Sequence, residues 1–390
     1  MQSFSGKNSD HVREWLQQQN LLSALEAQAC LPILPLPDNF TPPTRTPWGG
    51  KKILSHYKCG LAIRDERQYP VVGESWEISA DPAFPSECRF TLGTETIMVN
   101  LIQLLDLFPE QILGEHVARK FEGQNPILTK MLDAADHLSV QVHPSDEYSG
   151  LKADESGKPE SWYILEAEPR CGLYFGLKPD ISREELRQAI DKGEDISRFL
   201  NFVEVSPGDF FVIDAGTIHA IGAGVTLIEP QKIAPKRSGK TYRLWDWNRK
   251  YDAQGRKDAA GTPRSLDIDH SFAVINFDAP RGEEFLQQIQ PQKVVAQRNG
   301  DSVEMRRVET ENFGVSQIGL RGNQELTGDC RTSFHGLIPY EGRLEIFKDG
   351  TKVADVPKGQ SVIIPAALEA YSLKAEHANV VKVYYPEQYV

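Results

Sequence analysis

The chain has 390 residues, with 43 Lys and Arg against 55 Asp and Glu, a formal net charge of −12. That balance excludes a general nucleic-acid binder, which needs a dominant basic face, but leaves room for a small anionic substrate at a local basic cluster. Apolar residues make up 40% and charged residues 25%, the composition of a globular chain, and no run approaches the ~20 apolar residues of a membrane helix.

At ~150 residues per domain the length suggests two or three domains. The first 20 residues lack the apolar core of a secretion signal. Cys30, Cys59, Cys88, Cys171 and Cys330 are scattered, with no CxxC spacing, which fits reduced thiols and a cytoplasmic location.

Residues 10–29 read as one amphipathic helix, with Val12, Trp15, Leu16, Leu22 and Leu25 in an approximate stripe. Six prolines between Pro32 and Pro47 then impose an extended strap. Residues 1–47 are thus expected to be a packing arm. From Trp48 onward, short β-like runs such as LSVQVH, SWYILEA and GVTLIEP recur between Gly, Pro and Asp turns. Two helical insertions interrupt them, at about 99–121 and 182–200, the second opening on a Ser182–Glu185 capping box. The chain is strand-like again from about 303. Many short strands with regular turn signals indicate an all-β barrel or sandwich with helices inserted.

An internal echo suggests two such barrels. Residues 208–219 run Gly-DFFVI-Asp-Ala-Gly-Thr-Ile-His, and residues 359–370 run Gly-QSVII-Pro-Ala-Ala-Leu-Glu-Ala. The second copy has Ala370 where the first has His219, so it is expected to be structural and without metal.

Two of the nine histidines stand apart by context. In LSVQVHP, period-two alternation puts Ser139, Gln141 and His143 on one face of a strand and Leu138, Val140 and Val142 on the other. A polar row of this kind points into a polar barrel interior. His219 follows an Ala-Gly turn, and Lys158-Pro159-Glu160 leads into the strand SWYIL. Gln141, His143, Glu160 and His219 together offer two imidazoles, a carboxylate and an amide oxygen. That mixture suits a borderline divalent ion such as Zn²⁺, with an open position for Lewis-acid chemistry.

At these residues the sequence resembles type I phosphomannose isomerase, a family of the cupin superfamily. The segments that carry the resemblance are WGGKK at 48–52, GESWEIS at 73–79, PILTK at 126–130, LSVQVHPSDEY at 138–148, GKPESWY at 157–163, AGTIHA at 215–220 and TYRLWD at 241–246. The resemblance implies a mainly β fold of two cupin (jelly-roll) barrels. The catalytic one would span residues 48–275, and a degenerate one without metal would span 276–390. It implies one zinc ion per chain on Gln141, His143, Glu160 and His219, catalytic roles for Arg243 and Lys158 at the sugar, and substrate binding by Lys130 and Ser139. Trp48 and Trp76 read instead as core aromatics.

The implied reaction is the reversible isomerisation of mannose 6-phosphate and fructose 6-phosphate, a proton passing between C1 and C2 through an enediolate. For the proton carrier, Lys158 with a depressed pKa, His143 and a metal-bound hydroxide remain open. For the phosphate, Lys130, Ser139 and the basic run Lys232, Lys236, Arg237 and Lys240 are candidates. The sequence departs from the family pattern at Asp214, Gly239 and Pro230, and the missing acid at 239 bears on how Arg243 is oriented. An iron-dependent cupin oxygenase is disfavoured by Gln141 in place of a further histidine. A non-catalytic sugar-binding cupin is disfavoured by the retention of Lys158 and Arg243 beside the ligand set. The expected partner is a small sugar phosphate, with no nucleic acid and no membrane; the sequence is compatible with a monomer and does not fix the oligomeric state.

Overall fold

A computed structural model describes residues 1–64 and 69–389. The protein is mainly β with helical insertions, as the pattern of short strands implies. Strands Phe210–Ile213, Glu160–Ala167, Val225–Lys232, Ile127–Ala134 and Glu74–Ile78 form one five-stranded sheet in that order. Strands Leu200–Glu204, Gly172–Leu177, His219–Ile221, Val140–Val142 and Tyr242–Trp245 form a second. The sheets face one another across a core that includes Leu132, Trp162, Ile164 and Phe211 from the first and Leu173, Phe175 and Ile221 from the second. The other face of the first sheet, with Met131, Tyr163 and Ile228, packs against Val315, Ile338, Val381 and Val383 of the C-terminal region. Tyr163 and Tyr340 hydroxyls join the two halves at 2.9 Å.

Residues 294–384 form one nine-stranded sheet. Its first strand, Val294–Asn299, and the distant Leu326–Asp329 are joined by side chains. Gln297 donates to the Thr327 hydroxyl and accepts from the Thr327 amide, and Asn299 donates to the Glu325 carbonyl. The sheet is thereby nearly closed on itself around Ile318, Leu337, Leu344, Ile346 and Val380.

The single helix expected over 10–29 is two helices, Ser9–Gln18 and Leu22–Ala29. The break falls at Asn20, which adopts a left-handed φ of 57°, a conformation Asn tolerates. The strap that follows runs extended, bridging to Ile363, Cys88 and Ser75 through Ile33, Pro35 and Phe40. Residues 101–120 carry three short helices rather than one. The last helix before the C-terminal sheet, Gly282–Ile289, packs through Phe285 and Ile289 on the N-terminal core.

Two of the family-like segments meet at glycine. A Cβ on Gly49 would lie 2.4 Å from the Gly73 backbone nitrogen, so the WGG and GES segments can cross only without side chains there. Among the described residues, no helix is long and apolar enough to cross a membrane, and all five cysteines are free thiols.

Candidate metal centre

The second sheet supplies Gln141 and His219, which sit opposite one another in register, with His143 just beyond the strand end. The first sheet supplies Glu160, the first residue of its strand, directly after Pro159. The ligand atoms of His143, Glu160 and His219 all lie within 4.8 Å of one another, and all three residues are buried. His143 Nε2 is 3.3 Å from Glu160 Oε2, and His219 Nε2 is 3.5 Å from Glu160 Oε1. The fourth expected ligand joins them: the Gln141 side-chain amide lies 3.2 Å from His219 Nε2.

The chemistry of this donor set fits a cation. His143 Nδ1 faces the Lys240 carbonyl at 3.1 Å and His219 Nδ1 the Thr217 carbonyl at 2.9 Å. Each carbonyl holds the proton on Nδ1 and leaves the Nε2 lone pair turned inward, the arrangement that outer partners impose on metal-bound histidine. Glu160 Oε1 is buried with no hydrogen-bond donor, an expense that a protein rarely sustains unless something else satisfies the oxygen. The two ends of the Gln141 amide are nearly isosteric, so a half-turn brings its oxygen to the same point.

Burial disfavours charge on the imidazoles and, with help from Lys158, pushes His143 down to about 4; His219 is lowered for the same first reason. Burial also works against the Glu160 carboxylate, but the Lys158 ammonium beside it outweighs burial and holds Glu160 well below the usual carboxylate range. Neutral imidazoles and an ionised carboxylate are the protonation states that ligation requires.

A cavity of about 430 Å³ opens beside this cluster. Gln141, Lys158, Lys130, Ser139 and Arg243 all lie on its wall, so each predicted catalytic or substrate-binding residue is at the same cavity. Their states differ from expectation. Lys158 Nζ is 2.6 Å from Glu160 Oε2 and 3.7 Å from Glu229 Oε1. Without a cation in the cluster, burial alone would lower its pKa, yet Glu160, Glu229 and Glu74 outweigh burial and hold the amine charged. Lys130 is buried and already committed, donating to Glu229 at 3.0 Å and Gln231 at 2.7 Å. Two members of the basic run are paired with carboxylates, Lys232 with Asp146 and Lys240 with Glu155.

Arg243 donates from one terminal nitrogen to the Ser265 carbonyl at 3.1 Å, and its buried Nε has no partner. Its backbone amide donates to Asp267. Gly239, which replaces the expected acid, lies against Lys158: a Cβ there would be 3.0 Å from the Lys158 Cγ. Pro230 sits mid-strand, where the ladder to Glu160–Ala167 skips residues 229 and 230, so its missing N–H costs no bond on that side.

Trp48 and Trp76, expected only in the core, are buried but form part of the cavity wall. Sequence reasoning also missed Arg45, Glu74, Glu229 and Arg264 on that wall. Glu229 carried a usable signal. It interrupts an apolar strand directly opposite Lys130, which interrupts another, and such residues must pair to be buried.

Residues 45–167 match the family model "Phosphomannose isomerase type I, catalytic domain". Mannose-6-phosphate isomerase ManA of Bacillus subtilis is 33% identical over 331 residues, covering 84% of this chain and 92% of that protein. Mannose-6-phosphate isomerase of Streptococcus mutans is 36% identical over 226 residues, 57% of this chain and 63% of that protein. The crystal structure of a Bacillus subtilis mannose 6-phosphate isomerase superposes with a TM-score of 0.69 at 26% identity, covering 90% of this chain and 99% of that one. A zinc-bound mannose 6-phosphate isomerase shares the fold at a TM-score of 0.63 and 20% identity, over 87% of this chain and 96% of its own. With a ligand cluster in place and likeness running nearly the full length of such a relative, the chain belongs to the type I phosphomannose isomerase family.

Proposed function

We propose that this protein interconverts mannose 6-phosphate and fructose 6-phosphate, using one zinc ion held by Gln141, His143, Glu160 and His219. The observation that carries the reading is the buried convergence of His143, Glu160 and His219 beside a cavity lined by Lys158 and Arg243, in a chain of this family. Bound there, zinc supplies Lewis acidity at the sugar oxygens next to the carbon that loses its proton.

The remaining work falls to the chain. Arg243 stays protonated and brings a fixed positive charge to the cavity, where negative charge develops as the C–H proton leaves. One terminal nitrogen is used on the Ser265 carbonyl, and the guanidinium is at the cavity wall. A base takes the C–H proton from one carbon and returns it to its neighbour, while Lys158, held charged here by Glu160 and Glu229, gives a proton to a sugar oxygen and takes it back. Ser139 and Lys130 line the cavity and contribute to substrate binding, Lys130 from a position fixed by Glu229 and Gln231. The walls, with Trp48 and Trp76 among them, limit water around the reacting carbons. Five free thiols support a reducing, cytoplasmic setting.

The test is metal content by elemental analysis together with a coupled isomerase assay on mannose 6-phosphate. Stoichiometric zinc and turnover are expected. A zinc-loaded protein with no isomerase activity refutes the reading.

A further inference from the structure

Five cations line the cavity: Arg45, Lys130, Lys158, Arg243 and Arg264. Three are bound to protein anions or amides. Lys130 is held by Glu229 and Gln231, Lys158 by Glu160, and Arg264 by a two-pronged contact to Asp246 at 2.6 and 2.8 Å. Arg243, assigned above to the reacting end of the sugar, donates to the Ser265 carbonyl. Arg45 is held differently. Its guanidinium lies over the rings of Trp76, at 5.3 Å, and Phe84, at 5.0 Å, and among the described residues it has no carboxylate partner. Contact with two ring systems anchors the guanidinium without engaging its N–H donors, which stay open for a phosphate.

The position is as specific as the contact. From the ligand cluster outward, contacts run from Glu160 to Lys158, Glu229, Lys130, Trp76 and then Arg45. Arg45 is the exposed member of this series. It therefore stands at the mouth, remote from the atoms that would hold the reacting end of a sugar. Its support is rigid: Trp76 is buried, and its ring nitrogen donates to Glu74 at 2.8 Å. The turn that carries Arg45 is closed by the Arg45 and Thr46 amides donating to the Pro42 carbonyl. The carboxylates on this wall are occupied, Glu74 by Trp76 and Asp81 by Ser238 and the Ala83 amide.

Resting on the isomerase reading above, we propose that Arg45 of the Pro-rich arm binds the substrate's phosphate. It makes the enzyme prefer phosphorylated over free sugar. The arm is then part of the active site and not only packing. Arg45 is a positioning residue, since it acts on a group remote from the reacting carbons.

The experiment compares wild type, Arg45→Gln and Arg45→Lys for kcat and KM on mannose 6-phosphate, for competitive inhibition by inorganic phosphate, and for thermal midpoint. Arg45→Gln is expected to raise KM about ten- to hundredfold, the range for losing hydrogen bonds to a charged group, with kcat and midpoint unchanged. Phosphate inhibition weakens in parallel, and Arg45→Lys recovers part of both. An unchanged KM and phosphate inhibition in Arg45→Gln overturns the proposal, as does a fall in kcat alone. Because Arg45→Lys keeps the charge and most of the bulk, it decides the question if the Gln variant folds poorly: a raised KM with weakened phosphate inhibition in Arg45→Lys supports the assignment, since an amine does not reproduce the guanidinium fork, whereas wild-type values for both, or absence of phosphate competition in wild type itself, refute it. A wild-type protein inactive on mannose 6-phosphate refutes instead the isomerase reading.

Discussion

Glu160→Gln tests the centre with the least change of shape. It removes one negative charge and leaves the outline intact. In the metal-free protein the first loss is the contact to Lys158 at 2.6 Å, with both groups buried. Breaking a buried ion pair from one side costs ~3–5 kcal/mol. Glu229 remains 3.7 Å from the amine and shares the compensation, so the low end, about 3 kcal/mol, is expected. The second loss concerns the cation. Two imidazoles and two amides are all neutral, so the dication faces no formal charge among its ligands. Losing an outer partner of a ligand typically costs about 10–100-fold in metal affinity; losing the only anionic ligand is expected to exceed that. The assay is zinc per chain after dialysis, isomerase rate on mannose 6-phosphate, and urea midpoint with and without added zinc. Expected are zinc near zero, turnover abolished, and a urea midpoint that no longer responds to zinc. His137→Ala, whose ring stacks on Trp247 at 4.3 Å, is expected to keep its zinc. A Glu160→Gln protein with one zinc per chain and wild-type turnover refutes the assignment of the centre.

Arg243→Ala should keep zinc and lower kcat by about 10²–10³, the usual effect of deleting a donor to a developing oxyanion; an unchanged kcat removes Arg243 from the catalytic group. Lys58 and Glu77 form a fully buried pair at 2.8 and 3.0 Å. Lys58→Met is expected to destabilise by ~3–5 kcal/mol and Lys58→Met with Glu77→Leu by much less, read as a double-mutant cycle in urea. His335 is buried, its Nδ1 2.7 Å from the Tyr371 hydroxyl, and burial, with Lys382 adding, holds its pKa well below the usual value. Only the unfolded chain takes up this proton, so the contribution is complete above about pH 6.5 and is lost as pH falls below that, by up to ~1.4 kcal/mol per unit. The urea midpoint of His335→Gln should therefore fall less steeply than wild type between pH 6.5 and 5, and parallel slopes refute this.

The ligand set was legible because its signals are local. Gln141 and His143 alternate on one strand, and Glu160 and His219 each begin a strand beside a turn. What was not legible depends on which chains meet. Lys158 looked like a lysine whose amine a neighbouring dication could discharge; only the fold brings Glu229 and Glu74 close enough to hold it charged. Lys232 and Lys240 looked like a phosphate site, but Asp146 and Glu155 are folded against them. Trp76 reads as core by composition and is buried, yet it borders the cavity and two cations lie over its ring. Arg45 sits in a stretch that proline content marks as a strap. Nothing in that stretch announces that Pro42 turns the chain back and presents Arg45 over Trp76. The helix break at Asn20 escaped because the apolar stripe continues across it.

The echo between residues 208–219 and 359–370 extends beyond sequence to strand register. Ile213 pairs with Glu160, and Ile364, its counterpart, pairs with His335. Glu160 also pairs with Gln231 and His335 with Tyr384; Gln231 pairs with Leu128 and Tyr384 with Gly314. Across the other sheet, His219 faces Gln141 as Ala370 faces Asp329. One register therefore maps Glu160 onto His335, His219 onto Ala370 and Gln141 onto Asp329. The mapped set has a single imidazole, and that imidazole is turned to the Tyr371 hydroxyl. Asp329 is exposed and pairs with Arg331. Around them Leu337, Ile364, Leu368 and Leu373 fill the space with hydrocarbon, which offers a cation no ligands and strongly disfavours charge. The two segments thus share one strand register and differ in the side chains at matched positions, Glu160, His219 and Gln141 against His335, Ala370 and Asp329. The C-terminal half packs on one face of the first sheet, and the strand of that sheet that begins at Glu160 brings the carboxylate to His143 and His219.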